Sequence, residues 1–301
     1  MADASLDDRA GAASTPRRRV DWLFWIGVGI VSTVTFLAAF GPVIAPYDPT
    51  LAMHPPSVPP PSPADWPGLW WGRLTGEIEA APNWFGTDAN GFDLFSRVIS
   101  APRVDLTIAL AANALSLGLG IFLGLIAGYY RNVLTEGLMR VSDVLQSFPV
   151  FISAMILVAL AGRSTLNIVI ALALLYTPIY IRLTRSEVLT QRVRGYVEAA
   201  RALGNPEIVI ALRHVLPNSL APALIQSSVT IGFAILLTAG LSFVGAGVRP
   251  PAPEWGLMIS TGANQIILGE WWPSVFPGIA ISLTVFGFAI LGNALERRYE
   301  G

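Results

Sequence analysis

The chain holds 301 residues, 53% of them apolar and only 13% charged, with a mean hydropathy of +0.58. This excludes an ordinary soluble domain, in which about a quarter of the residues are charged, and the absence of cysteine excludes a disulfide scaffold. All 19 basic residues are arginine, so a Walker A lysine, a Schiff-base lysine and a lysine general base are ruled out. With two histidines and no cysteine, no all-protein zinc site is expected either; catalytic residues and metal ligands are both read as none.

A helix needs about 20 predominantly apolar residues to cross the hydrocarbon layer. Six windows lack Asp, Glu and Arg: 22–47, 106–130, 144–162, 164–181, 214–248 and 271–295. The first follows a tail, 1–21, containing Arg17-Arg18-Arg19. Its apolar run is too long for the 7–15-residue core of a signal peptide, so 22–45 reads as a retained first helix. The third and fourth windows are separated by Arg163 alone and read as a tight hairpin. The fifth is too long for one span and should include connections near Pro217 and Pro222 and after Gly245.

Loops on the cytoplasmic side retain basic residues. With the N-terminus inside, the inner segments hold 14 arginines and the outer ones 5 (Arg73, Arg97, Arg103, Arg163 and Arg249), which places both termini in the cytoplasm.

The largest external segment, 46–103, is dense in proline from Pro46 to Pro63, which favours extended chain there. Trp66, Trp70, Trp71 and Trp84 follow. They suit an aromatic belt at the membrane surface or a contact surface for an external partner. A second external loop, about 249–270, contains Pro253-Glu254-Trp255-Gly256.

Residues 187–213 carry seven charges in 27 positions and cannot span lipid. Leu189, Val193, Tyr196, Val197, Ala200 and Leu203 nevertheless recur at helical spacing. Gly204 is placed to end that helix in the left-handed conformation. Asn205-Pro206-Glu207 then reads as an N-cap, a first-turn proline and a carboxylate at the positive dipole end of a second helix, about 206–213, closed by Leu216-Pro217. Two short amphipathic helices are predicted on the cytoplasmic side, suited to the lipid surface or to a groove in a soluble partner.

The stretch Glu198-Ala199-Ala200, three residues, Gly204, then an apolar helix closing at Leu216-Pro217 resembles the EAA signature of bacterial ABC importer permeases. Ala45-Pro46-Tyr47-Asp48-Pro49, Trp84-Phe85-Gly86-Thr87-Asp88, Phe148-Pro149, Leu241 to Val248, Pro253-Glu254-Trp255-Gly256 and Phe276-Pro277-Gly278 are similar to the C-type subunit of the peptide/nickel (dipeptide/oligopeptide) group. Phe92 stands where that pattern has arginine, Asp105 where a small hydroxyl residue is common and Asn293 where aspartate is common. The segment from Pro49 to Gly86 is roughly ten residues longer than usual.

The resemblance implies an all-α polytopic permease of the type I importer class. It would have six transmembrane helices, a five-helix core over 104–296, an EAA loop over 187–217 and a cytoplasmic C-terminus at 297–301. Its implied partners are a second homologous permease, two ABC ATPase subunits that bind ATP and magnesium, a periplasmic or lipid-anchored binding protein, and membrane lipid; no cofactor in this chain and no nucleic acid are implied. Glu198, Ala199, Ala200, Gly204, Asn205, Pro206, Glu207, Ile208, Leu212, Arg213, Leu216 and Pro217 would couple to the ATPase subunit. Trp70, Trp71, Trp84 and Trp255 are candidate contacts for the binding protein. The expected cargo is a di- or oligopeptide, with nickel complexes and glycosides as alternatives, and no substrate-contacting residue is assigned.

Among the remaining residues, Gly120, Gly124 and Gly128 share a helix face suited to close packing. Asp143 is expected to pair with Arg140, and His214 to sit at a helix C-terminus.

Overall fold

A computed structural model describes residues 22–78 and 80–300, so the expected tail, 1–21, lies outside the described residues. Every named element among these is helical; an isolated bridge pairs Thr87 with Asp93. In chain order the helices are α1 (Trp22–Ile44), α2 (Trp66–Thr75), α3 (Leu94–Ser100), α4 (Pro102–Tyr129), α5 (Val133–Ser147), α6 (Val150–Ala161), α7 (Thr165–Gln191), α8 (Gly195–Ala202), α9 (Glu207–Ile210), α10 (Leu216–Ser219), α11 (Ala221–Phe243), α12 (Trp255–Ala263) and α13 (Trp272–Glu300).

Five stretches are long and apolar enough to cross a membrane: α1, α3 with α4, α7, α11 and α13. The third window, 144–162, is not a straight span. α5 and α6 meet at a bend of 95° across Phe148-Pro149, and α6 alone has 12 residues, about 18 Å of helix. Counting uncharged residues does not register a change of direction, whereas proline removes a donor and turns the chain. The expected hairpin does form between α6 and α7, with Gly162 at φ 93 in its turn.

α4 and α7 make the most extensive helix pair. Its cause is the glycine row of α4. A Cβ added at Gly120 would lie 2.2 Å from Tyr180 Cβ, and at Gly124 and Gly128 it would lie 2.7 Å from Thr184 Cβ and Val188 Cβ. α11 and α13 close the bundle, joined by the Ser228 hydroxyl donating to the Phe288 carbonyl (2.9 Å). α1 lies at the periphery, seated on α13 through Gly27 and Gly287, and exposes Phe36, Phe40 and Val43. An apolar outer surface of this kind is soluble only in lipid.

The proline-rich segment is not wholly extended: it contains α2 and α3. Asp93 caps α3 by accepting from the Ser96 amide (2.8 Å) and hydroxyl (2.6 Å). The buried Arg97 donates to the carbonyls of Pro49 (2.9 Å) and Pro251 (3.3 Å) and stacks on Phe92 at 4.4 Å. The phenyl ring at position 92 is therefore used as a platform for the neighbouring guanidinium. Asp105 is buried and accepts from the Trp255 amide (3.4 Å), linking α4 to α12. Glu254 caps α12 with both oxygens, accepting from Gly256 (2.9 Å) and Leu257 (2.7 Å). Burial pushes the Glu254 carboxyl above its usual range, opposed by these amides.

A two-faced segment at one end of the bundle

The site of interest lies where α4 and α7 end and α11 begins. α7 continues past the expected window as far as Gln191, so the amphipathic run read as one helix from 187 is divided between the end of α7 and α8. α8 ends at Leu203. Gly204 adopts φ 78, its amide donates to Arg201 (3.0 Å), and the Asn205 amide donates to Ala200 (3.3 Å). These two bonds satisfy carbonyls that a helix end leaves open.

Asn205 does not cap the following helix as expected. Its side-chain amide donates to the Ala200 carbonyl (2.9 Å), and Pro206 takes the N-cap position of α9 without a side-chain bond. Nor does Leu216-Pro217 end the helical path. Ala211–Val215 forms a π-helical turn, and the backbone continues through α10 into α11. Proline lacks an N–H and crowds the carbonyl four residues before it; the wider π turn gives Pro217 room. His214 consequently lies within this turn rather than at a helix end.

The segment has two faces. Val197, Ala200, Ile210, Ala211 and Val215 are buried with Leu125, Tyr129 and Val188 in a hydrophobic cluster separate from the main core. Facing away, Leu203 is 83% exposed, Ile208 56% and Leu212 50%. Ile208, Val209, Leu212, Arg213 and Pro217 line a shallow depression of about 420 Å³. Glu198, Ala199, Gly204 and Pro206 are also exposed, and Leu216 packs against the cluster.

Polar bonds reinforce the buried face. The Tyr129 hydroxyl donates to the Glu207 carboxylate, and Arg201 donates to both of its oxygens (2.7 and 3.2 Å). Arg201 first, and Tyr129 second, hold the Glu207 carboxyl down at about 2. Arg192 donates to the carbonyls of Gly128 (3.2 Å) and Tyr129 (3.0 Å), placing a cation at the C-terminal end of α4. Neither Tyr129 nor Arg192 is singled out by the sequence pattern, because both partnerships cross more than sixty residues.

The other candidates separate. Trp70 and Trp84 stack at 5.2 Å, and Trp71 is 68% exposed. Trp255 is 2% exposed and its indole donates to the Val98 carbonyl (3.1 Å), so it offers no contact surface. Asp143 pairs with Arg182 (3.0 Å), not Arg140, because α5 folds against α7.

Residues 120–301 match the family described as binding-protein-dependent transport system inner membrane component. The di/tripeptide transport system permease protein DppC of Pseudomonas aeruginosa is 37% identical over 270 residues, covering 90% of this chain and 85% of that protein. The dipeptide transport system permease protein DppC of Alkalihalophilus pseudofirmus is 40% identical over 74% of this chain and 73% of its own. The glutathione transport system permease protein GsiD of Pectobacterium atrosepticum is 36% identical over 73% of each. Among solved structures, an inward-facing MetNI methionine ABC transporter aligns with a TM-score of 0.53 at 17% identity, over 67% of this chain and 95% of that one, and shares the fold. By its sequence and by its helical architecture, the chain belongs to the family of binding-protein-dependent transport system inner membrane components.

Proposed function

We propose that this chain is the C-type permease subunit of an ATP-driven importer of short peptides. In this reading the chain carries no chemistry. It pairs with a second permease in the bacterial inner membrane, two ATPase subunits hold ATP and magnesium, and an extracytoplasmic binding protein delivers the cargo. Both termini face the cytoplasm, consistent with the distribution of the arginines.

The observation that carries the proposal is the two-faced segment 195–217. A short helix with one face fixed to the bundle and an apolar face left bare suits docking into a groove of a soluble protein. Ile208 and Leu212 would seat in the ATPase subunit, with Arg213 and Pro217 at the rim and Glu198, Ala199, Ala200 and Gly204 setting the approach. Closure of the two ATPase subunits would then drive a bistable rearrangement of the spans. Trp70, Trp71 and Trp84 lie at the other end of the bundle, beside the outer ends of α1 and α3, and are proposed to meet the binding protein.

Two measurements test this. The chain should co-purify with a soluble ATPase, and Ile208→Glu should abolish that association while the chain still inserts. Mass spectrometry of ligands on the co-purified binding protein should find short peptides. A metal chelate or glycoside would overturn the cargo, and absence of any ATPase would overturn the importer reading.

A further inference from the structure

We infer that the cavity bounded by α6, α7 and α11 is a substrate-contacting pocket of the translocation path, in which Gln226 receives an uncharged amide group of the cargo. The inference rests on the importer reading and adds to it a substrate-facing residue.

The cavity measures about 620 Å³, within the usual range for small-molecule sites. It exists because of the break at Phe148-Pro149. α5 departs at 95°, and α6 begins beside α7 and α11 instead of continuing a straight wall. Discontinuous helices within a membrane are tolerated where they are buried in protein or line a cavity, and in transporters they commonly mark the substrate site. Gly240 admits the Phe151 ring at one wall: a Cβ there would lie 2.9 Å from Phe151 Cε2.

The lining is apolar except for Tyr176, Gln226 and Thr230, and it contains no charged side chain. Gln226 and Thr230 begin a string of hydrogen bonds running into the bundle. The Gln226 amide lies 3.5 Å from the Thr230 hydroxyl, which is in bonding reach of the Tyr180 phenol, and Tyr180 donates to Asn113 Oδ1 (2.5 Å). Each donor in this order has an acceptor ahead of it, so the string fixes the orientation of Gln226. It engages one amide hydrogen. Among the described residues no partner is found for the Gln226 carbonyl oxygen. A polar group on a membrane span facing a cavity is unfavourable beside lipid and is a functional candidate. The complementary ligand is a peptide bond, which offers one donor and one acceptor to a primary amide. An otherwise apolar and uncharged wall accepts varied side chains without selecting a charge.

The absence of cysteine makes the test direct. In the assembled complex, Gln226→Cys and Phe36→Cys are treated with a membrane-impermeant maleimide, and this chain is weighed by mass spectrometry. Gln226→Cys should label and Phe36→Cys on the outer surface of α1 should not. A mixture of alanine di- and tripeptides, with binding protein and ATP, should slow Gln226→Cys labelling several-fold. Gln226→Leu should lower transport of the same peptides by about tenfold, the loss of roughly one hydrogen bond. No labelling in a complex whose ATPase still responds to peptide would overturn the pocket and leave the importer intact. Labelling unaffected by peptide would likewise overturn it. A chain that binds no ATPase would overturn the importer reading on which the pocket rests.

Discussion

The Tyr129 hydroxyl donates to the Glu207 carboxylate across 78 positions of sequence, binding the end of α4 to the start of α9. The short helix proposed to engage the ATPase is therefore attached to a membrane span by a side-chain bond and a shared hydrophobic cluster, as well as by its continuous backbone path into α11. Tyr129→Phe removes the bond and keeps the ring. The complex should assemble with its ATPase subunits, while substrate-stimulated ATP hydrolysis falls several-fold. Unchanged stimulation would mean that movement passes through α10 and α11 alone.

The charge at Glu207 sets the pH range of that attachment. Its folded pKa, about 2, lies below the ordinary 4.5, chiefly through Arg201. A depressed carboxylate contributes stability that is present above its unfolded pKa and lost as pH falls through the folded one. The difference in thermal midpoint between the parent protein and Glu207→Gln should be constant from pH 8 to 5 and shrink toward pH 2. Thermal scans in detergent across that range check this, and a difference that changes between pH 6 and 8 would contradict it.

Gly204→Val meets no steric obstacle, since nothing lies within 4 Å of an added Cβ. The penalty is confined to φ 78, which costs a β-branched residue about 1–3 kcal/mol. Insertion should be normal and coupled ATP hydrolysis reduced. Gly204→Asn should be milder, because asparagine tolerates this backbone region. Equal activity in both variants would show that the turn does not need its observed geometry.

Two glycines on α4 make an internal control. Gly120→Ala brings a methyl 2.2 Å from Tyr180 Cβ, whereas Gly118→Ala meets open space. The first should lower the melting temperature, at a cost of about 1–3 kcal/mol. The second should leave it unchanged or raise it slightly, because alanine favours helix over glycine. Both are read from a fluorescence melt of the purified protein.

Arg97 gathers the segments around Pro49, Phe92 and Pro251. Arg97→Gln cannot reach all three. Limited proteolysis should then cut within 46–65 or 249–254 at least several-fold faster, with the spans intact. An unchanged digest would show that the loops hold each other without it.

Much of this architecture is legible in the residue order. Arginine-free windows locate the spans, glycines at four-residue spacing announce the α4–α7 contact, and the stop at Gly204 is visible because a positive φ favours glycine. What is not legible depends on partners distant in sequence or on compensation. Pro217 looks like a terminator until the π turn before it is seen to accommodate the ring. Asp143 has an arginine three residues away, yet its partner is Arg182, because the Phe148-Pro149 bend sets α5 against α7. Trp255 sits in a polar-looking proline loop but is buried, because Arg97, Asp105 and Val98 draw that loop into the bundle.

The π turn at Ala211–Val215 also acts as a phase setting. Each residue of an α-helix advances the side chains by about 100°, and a π turn holds one residue more than an α turn would need. Deleting one residue there would rotate Ile208 and Leu212 by roughly that angle about the axis that α11 continues, turning the bare face toward the bundle and the buried face outward. The direction in which the segment presents itself to a partner, and the direction in which Gln226 and Thr230 face from α11, are thus geared together by a single inserted residue.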